Sequence, residues 1–145
     1  MLNACVSHNL ATSAHYTRSE ESASALSLGS GHYGVNLSYK SITREMVDAC
    51  AGKLGEVLYN RCSYILEENQ RVLDAAEALQ KEDIVALGNL LNKSQLGQRK
   101  KYEVSCPKLD FLVEMSRAEQ VILGARMAGV GFGGCKLNIF HEDEV

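Results

Sequence analysis

From Gly124 to Cys135 the chain reads Gly-Ala-Arg-Met-Ala-Gly-Val-Gly-Phe-Gly-Gly-Cys, gathering five of its twelve glycines into one short stretch. Glycine inside regular structure costs about 0.5–1 kcal/mol relative to alanine, so such a cluster signals positive φ angles or backbone held close to a ligand or another segment. Val121-Ile122-Leu123 before it is strand-like, and Lys136-Leu137-Asn138-Ile139-Phe140 after it alternates polar and apolar like a strand, with Leu137 and Ile139 on one face. A strand, glycine loop, strand unit is expected. Gly129, Gly131 and Gly134 also satisfy G-x-G-x-x-G, but a dinucleotide site needs a helix after the glycines and an acidic residue about 20 positions further on. Only residues 135–145 follow, and they read as a strand. The nicotinamide reading is set aside.

Hydrophobic residues make up 46% of the 145, enough for one core, and no repeat or long linker divides the chain. A net charge of -3 gives no general attraction to nucleic acid or to an anionic membrane surface. No apolar run reaches the 18 or so residues that span a bilayer, and no signal sequence opens the chain, so a cytoplasmic location is expected. Cys5, Cys50, Cys62, Cys106 and Cys135 are widely spaced without a C-x-x-C pair, and they read as reduced, mostly buried thiols. No metal site is expected from them and the histidines.

Along the chain, Leu2 to Val6 reads as a strand and Ser13 to Leu28 as a helix stopped by Gly29-Ser30-Gly31. Thr43 is placed to cap a short helix to about Ala51, after which Gly52 and Gly55 break the chain. From Glu56 to Gln80, Leu58, Cys62, Ile65, Val72, Ala76 and Leu79 recur at three and four, with Leu66 and Leu73 widening the stripe, which predicts a long amphipathic helix. A second helix, Glu82 to Leu96, is expected to bury Ile84, Leu87, Leu90 and Leu91 and to pair with it antiparallel. Pro107 sits where a further helix starts, with Leu109, Leu112 and Val113 on its apolar face. The intermixed order is that of an α+β fold.

Several motifs resemble the C-terminal half of the galactokinases, a branch of the GHMP small-molecule kinases. Ser7-His8-Asn9-Leu10-Ala11-Thr12-Ser13-Ala14 is similar to the family's V-K/R-H-x-L-A-S-S segment, and Glu68 to Ala76 resembles its E-N-Q-R-x-L-x-A-A helix. Tyr102 to Asp110 is similar to Y-E-V-S-C-P-E-L-D, and Gly124 to Cys135 to the third motif, G-A-R-M-T-G-G-G-F-G-G-C, with Ala128 for the threonine and Val130 for the middle glycine. The resemblance implies a GHMP kinase C-terminal domain over residues 1–145, with a ferredoxin-like sheet and packed helices. It also implies transfer of the γ-phosphoryl group of ATP to the C1 hydroxyl of galactose, assisted by Mg²⁺.

Phosphoryl transfer depends on positioning and charge neutralisation. The family takes its phosphate loop P-x-G-x-G-L-S-S-S, an aspartate and an arginine from its N-terminal half, and none of those motifs occurs here. The resemblance therefore implies a fragment that contains no catalytic residue, holds neither ATP nor Mg²⁺ alone, and is inactive alone. Gly129, Gly131, Gly133 and Gly134 are implied as the nucleotide-side, active-site loop. The family's sugar-contacting tyrosine, in Y-N-x-R-R, falls on His15 by ungapped match, with Tyr16 next and Arg18 followed by Ser19; the implied sugar contact is His15 or Tyr16. An S-H-x-S-L-R-D-D segment appears as Ser94 to Lys101, with lysines at both acidic positions. A GHMP kinase for another sugar and a non-catalytic sugar-binding or regulatory module are the alternatives. Galactose and ATP are the expected partners of the longer enzyme.

Overall fold

A computed structural model of the chain describes residues 2–3, 9–133 and 135–141, with side chains from residue 13 onward. Among the described residues, three strands and five helices run in the order β1 (Leu2–Asn3), α1 (Asn9–Tyr33), α2 (Arg44–Ala49), α3 (Ala51–Gln80), α4 (Ile84–Lys100), α5 (Pro107–Ala118), β2 (Ile122–Ala128) and β3 (Cys135–Phe140). The strands form one antiparallel sheet of order β1-β3-β2. The α+β architecture read from the sequence is the one observed. Of the strand expected over Leu2 to Val6, residues 4–6 lie outside the described residues, as do Ser7 and His8.

Local chemistry explains most helix ends. The Thr43 hydroxyl accepts from Met46 N at the start of α2, and the Asp83 carboxylate accepts from Ala86 N, 2.8 Å away, at the start of α4. Pro107 occupies the first turn of α5. Gly55, at φ 68°, kinks the chain inside α3, so the long helix proper begins at Glu56 as the periodicity predicts. The expected stop at Gly29-Ser30-Gly31 is corrected: α1 runs through both glycines and ends at Gly34, φ 67°. Gly29 is buried close to Leu37 and Ile42, and that packing offsets the roughly 1 kcal/mol a mid-helix glycine costs.

The helices build one core from Ala25, Ile42, Val47, Cys50, Leu54 and Cys62. A second, smaller cluster, Val104, Leu109 and Met127, lies between α5 and the sheet. α3 and α4 do pair antiparallel through the three residues 81–83, but their buried faces differ from the apolar stripes. Val72, Leu73 and Leu79 are exposed, because only the N-terminal half of α3 packs on α1 and α2. In α4, Leu87, Leu90 and Leu91 are half-buried and Leu96 is exposed, and Gly88, Ser94, Gln95, Gly97 and Gln98 are the buried positions.

The sheet keeps Leu137 and Ile139 on one face of β3 and covers the other. Ala125 and Met127 pair across with Asn138 and Lys136, so these four side chains share the face under α5. Lys136 is therefore 4% exposed while Leu137 is 40% exposed.

Candidate functional site

The glycine loop leaves β2 at Ala128 and enters β3 at Cys135. Gly129 and Gly131 have φ angles of 95° and 96°, and Phe132 is itself at φ 56°, a conformation an aromatic residue adopts only under constraint. The constraint is visible. Phe132 N donates to Val104 O at 2.7 Å, and its ring packs on the Val104–Leu109–Met127 cluster. A Cβ at Gly131 would stand 2.4 Å from that same Val104 carbonyl, so only glycine lets the loop lie on the 103–105 segment. At Gly129 nothing lies within 4 Å of an added Cβ, and Val130 is exposed. The loop has a seated base at Gly131–Phe132 and an open tip at Gly129–Val130. Gly133 is buried, and Gly134 lies outside the described residues.

The same ledge anchors the first helix. Arg18 of α1 donates through Nε to the carbonyl of Glu103, the residue before Val104, and pairs with the carboxylates of Glu21 and Glu103. Two successive carbonyls thus hold two distant segments, α1 and the glycine loop. Beneath them Arg61, 2% exposed, is bound to Glu21 and Glu103 at 2.6 Å each and to the carbonyl of Lys101. Glu103 adopts a φ of 54° within this cage of charges. Tyr102, one residue earlier, stacks on Tyr64 with ring centroids 4.8 Å apart.

His15 and Tyr16 sit on α1 one turn before Arg18, and both are exposed, Tyr16 to 65%. The fold ties their turn to the ledge that seats the loop. Neither side chain has a hydrogen-bond partner among the described residues. Arg126, on the strand leading into the loop, is instead engaged: it lies 3.4 Å from Glu68 and donates to the carbonyl of Met127. Asp110 accepts from Ser105 Oγ at 2.6 Å and from Gln95, which ties the start of α5 to α4.

Sequence reasoning missed the ledge. The ion pairs of Arg18, Arg61, Glu21 and Glu103 join positions up to 85 residues apart, which no local spacing discloses. Among the described residues no group of three or more His, Cys, Asp or Glu side chains is arranged to hold a metal ion. No described helix is long and apolar enough to cross a membrane.

A three-stranded sheet, a glycine loop seated on an adjoining chain segment, and five helices make up the described fold. Residues 75–145 match the family described as GHMP kinases C terminal, and that part of the chain carries the domain. Its relatives are galactokinases: one from Thermotoga petrophila is 38% identical over 135 residues, 92% of this chain and 36% of that protein. A galactokinase from Actinobacillus pleuropneumoniae serotype 3 is 36% identical, covering 100% of this chain and 38% of that protein. The crystal structure of Lactococcus lactis galactokinase complexed with galactose superposes with a TM-score of 0.85 at 30% identity, over 97% of this chain and 36% of the other. The chain therefore spans little more than a third of the length of these relatives.

Proposed function

We propose that residues 1–145 serve as one domain, the C-terminal part of a galactokinase-like enzyme that transfers the γ-phosphoryl group of ATP to the C1 hydroxyl of galactose. The observation that carries this reading is the seated glycine loop with its open tip at Gly129–Val130, joined through the Glu103–Val104 segment to the helix that bears His15 and Tyr16. In this reading the tip, with Gly133 and Gly134 behind it, packs against a phosphate loop supplied by an N-terminal half. His15 or Tyr16 then offers its polar tip to the sugar, and Arg18 and Glu103 fix how far that turn stands from the loop.

Phosphoryl transfer asks for in-line positioning and cationic neutralisation of the moving group. ATP supplies the phosphoryl group, and Mg²⁺ the neutralising charge. The residues of this chain contribute a wall of the cleft rather than the aspartate, arginine or metal ligands, so the chain alone is inert in this reading. The longer enzyme works in the cytoplasm.

Purified residues 1–145 mixed with galactose and Mg-ATP are expected to release no ADP above background; release above background overturns the inert-wall assignment. The coding sequence upstream of Met1 is expected to contain a P-x-G-x-G-L-S-S-S segment followed by an aspartate; a stop codon there favours a binding or regulatory module. In the protein of relatives' length, His15→Ala and Tyr16→Phe are compared by steady-state kinetics. The variant that removes the sugar contact raises KM for galactose severalfold and leaves KM for ATP unchanged. A pair of unchanged galactose KM values refutes the assignment. Because His15 stands where the family has tyrosine, the same assay run with other hexoses decides whether galactose is the preferred acceptor.

A further inference from the structure

The groove between α3 and α4 contains a cavity of about 420 Å³, in the range that accepts a small organic ligand. Arg71, Lys93, Lys100 and Lys101 line it, together with Leu96, Gly97 and a single carboxylate, Glu67. None of the glycine-loop residues and neither His15 nor Tyr16 takes part. The helices approach closely here because Gly97 has no side chain: a Cβ would stand 2.8 Å from the ring of Tyr64. The long side chains on either side of that contact then frame the hollow.

The charges in the cavity are unevenly committed. Glu67 is shared among Lys101, Arg44 at 3.1 Å and Arg71 at 3.7 Å. Burial opposes its ionisation, but the hydrogen bonds and charges of Lys101 and Arg44 outweigh that and hold its carboxyl below the ordinary range. Arg71 also pairs with Glu68, although its buried Nη2 makes no hydrogen bond of acceptable geometry. Lys93 and Lys100 are exposed and have no ion-pair partner among the described residues. Arg71 and Lys101 are thus committed to Glu67 and Glu68, which leaves Lys93 and Lys100 as the uncommitted cations along the cavity.

We propose that this cavity is a binding site for a small organic phosphate, separate from the sugar and glycine-loop site. Lys93 and Lys100 hold the phosphate oxygens by charge-assisted hydrogen bonds. Leu96 and the aliphatic stems of the lysines cover the body of the ligand, so a phosphate carried on a flat, apolar body fits better than phosphate alone. The site belongs to this chain rather than to the resemblance, since both acidic positions of S-H-x-S-L-R-D-D are lysines here. The inference does not depend on the transferase reading.

Isotope-labelled residues 1–145 titrated separately with ADP, galactose 1-phosphate and inorganic phosphate, and followed by NMR, test it. The amides of Lys93, Gly97 and Lys100 are expected to shift, with ADP binding most tightly, then the sugar phosphate, then phosphate. The Lys93→Glu/Lys100→Glu double variant, at two exposed positions, is expected to keep a dispersed spectrum and to weaken ADP binding by about tenfold or more. Leu96→Gln is expected to weaken ADP while leaving inorganic phosphate unchanged. Shifts confined to Gly129–Phe132 would overturn this site while supporting the glycine loop as the nucleotide-side wall. Unchanged ADP affinity in the double variant, or no response at Gly97 to any of the three ligands, overturns it as well.

Discussion

Lys136 shows how one side chain can follow its strand rather than its polarity. Register places it opposite Met127 on the face that α5 covers, and its ammonium finds one partner, the carbonyl of Leu112 at 2.9 Å. Burial pushes its pKa below the ordinary lysine value. A lowered folded value means that the unfolded chain binds the proton more readily, so the penalty is full at neutral pH and fades as pH rises through the folded value toward the unfolded one. Lys136→Met is expected to stabilise the chain by about 1 kcal/mol at pH 7, with the gain narrowing near pH 10. Urea unfolding at the two pH values checks both the sign and the trend. The glycine loop offers a second contrast at this scale. Gly131→Ala combines a positive φ with a 2.4 Å clash on Val104 O and is expected to cost about 2–4 kcal/mol, whereas Gly129→Ala, with open space around it, costs about 1 kcal/mol. Equal losses in thermal unfolding would contradict that division of the loop into base and tip.

At the scale of elements, α4 does for β2 what a further strand would do. The Asn92 amide donates to Leu123 O at 3.3 Å and accepts from Ala125 N at 3.1 Å, and Gln95 accepts from Met127 N at 2.7 Å. The helix comes near enough because Gly88 and Gly124 face each other, where a Cβ on Gly124 would lie 2.2 Å from Gly88 O. An edge that could recruit a foreign strand is closed by two side chains. Gln95→Leu leaves the buried Met127 N–H without an acceptor and is expected to destabilise the chain by about 1–3 kcal/mol. Hydrogen exchange at that amide should accelerate more than at its neighbours in β2. An unchanged exchange rate there would show that the edge is not held in this way. The periodicity of α4 misled for the same reason: it marks the leucines, while the face that packs is glycine and amide.

Across the whole molecule, the ion network centred on Arg61 is the tie between the helical core and the segment that seats the loop. It joins α1 through Glu21, α3 through Arg61 itself, and the 101–103 turn through a carbonyl and Glu103. Arg61 is buried while its partners reach solvent, Glu103 with a side chain 53% exposed, so Arg61→Ala removes hydrogen bonds and packing rather than stranding a buried charge and is expected to cost about 1–3 kcal/mol. Denaturant unfolding measures the loss, and hydrogen exchange at Phe132 N–H tells whether the loop loosens with it. A loss below about 1 kcal/mol would mean that the cage contributes little.

Sequence pattern alone set the α+β order, the cap at Thr43, the long helix from Glu56, the Pro107 start and the strand, loop, strand unit. All of these are set by interactions within a few residues, which spacing and residue type report directly. Its motifs also carried the resemblance to galactokinases. Only the tertiary structure decided which faces are covered: that Lys136 goes in and Leu137 stays out, that α1 passes through Gly29 and Gly31, and that the stripe beyond Arg71 is exposed. It alone disclosed the ledge, because Glu103 O and Val104 O bind partners remote in sequence. Long-range pairing depends on where whole elements come to rest, and no local pattern of polar and apolar residues encodes that position.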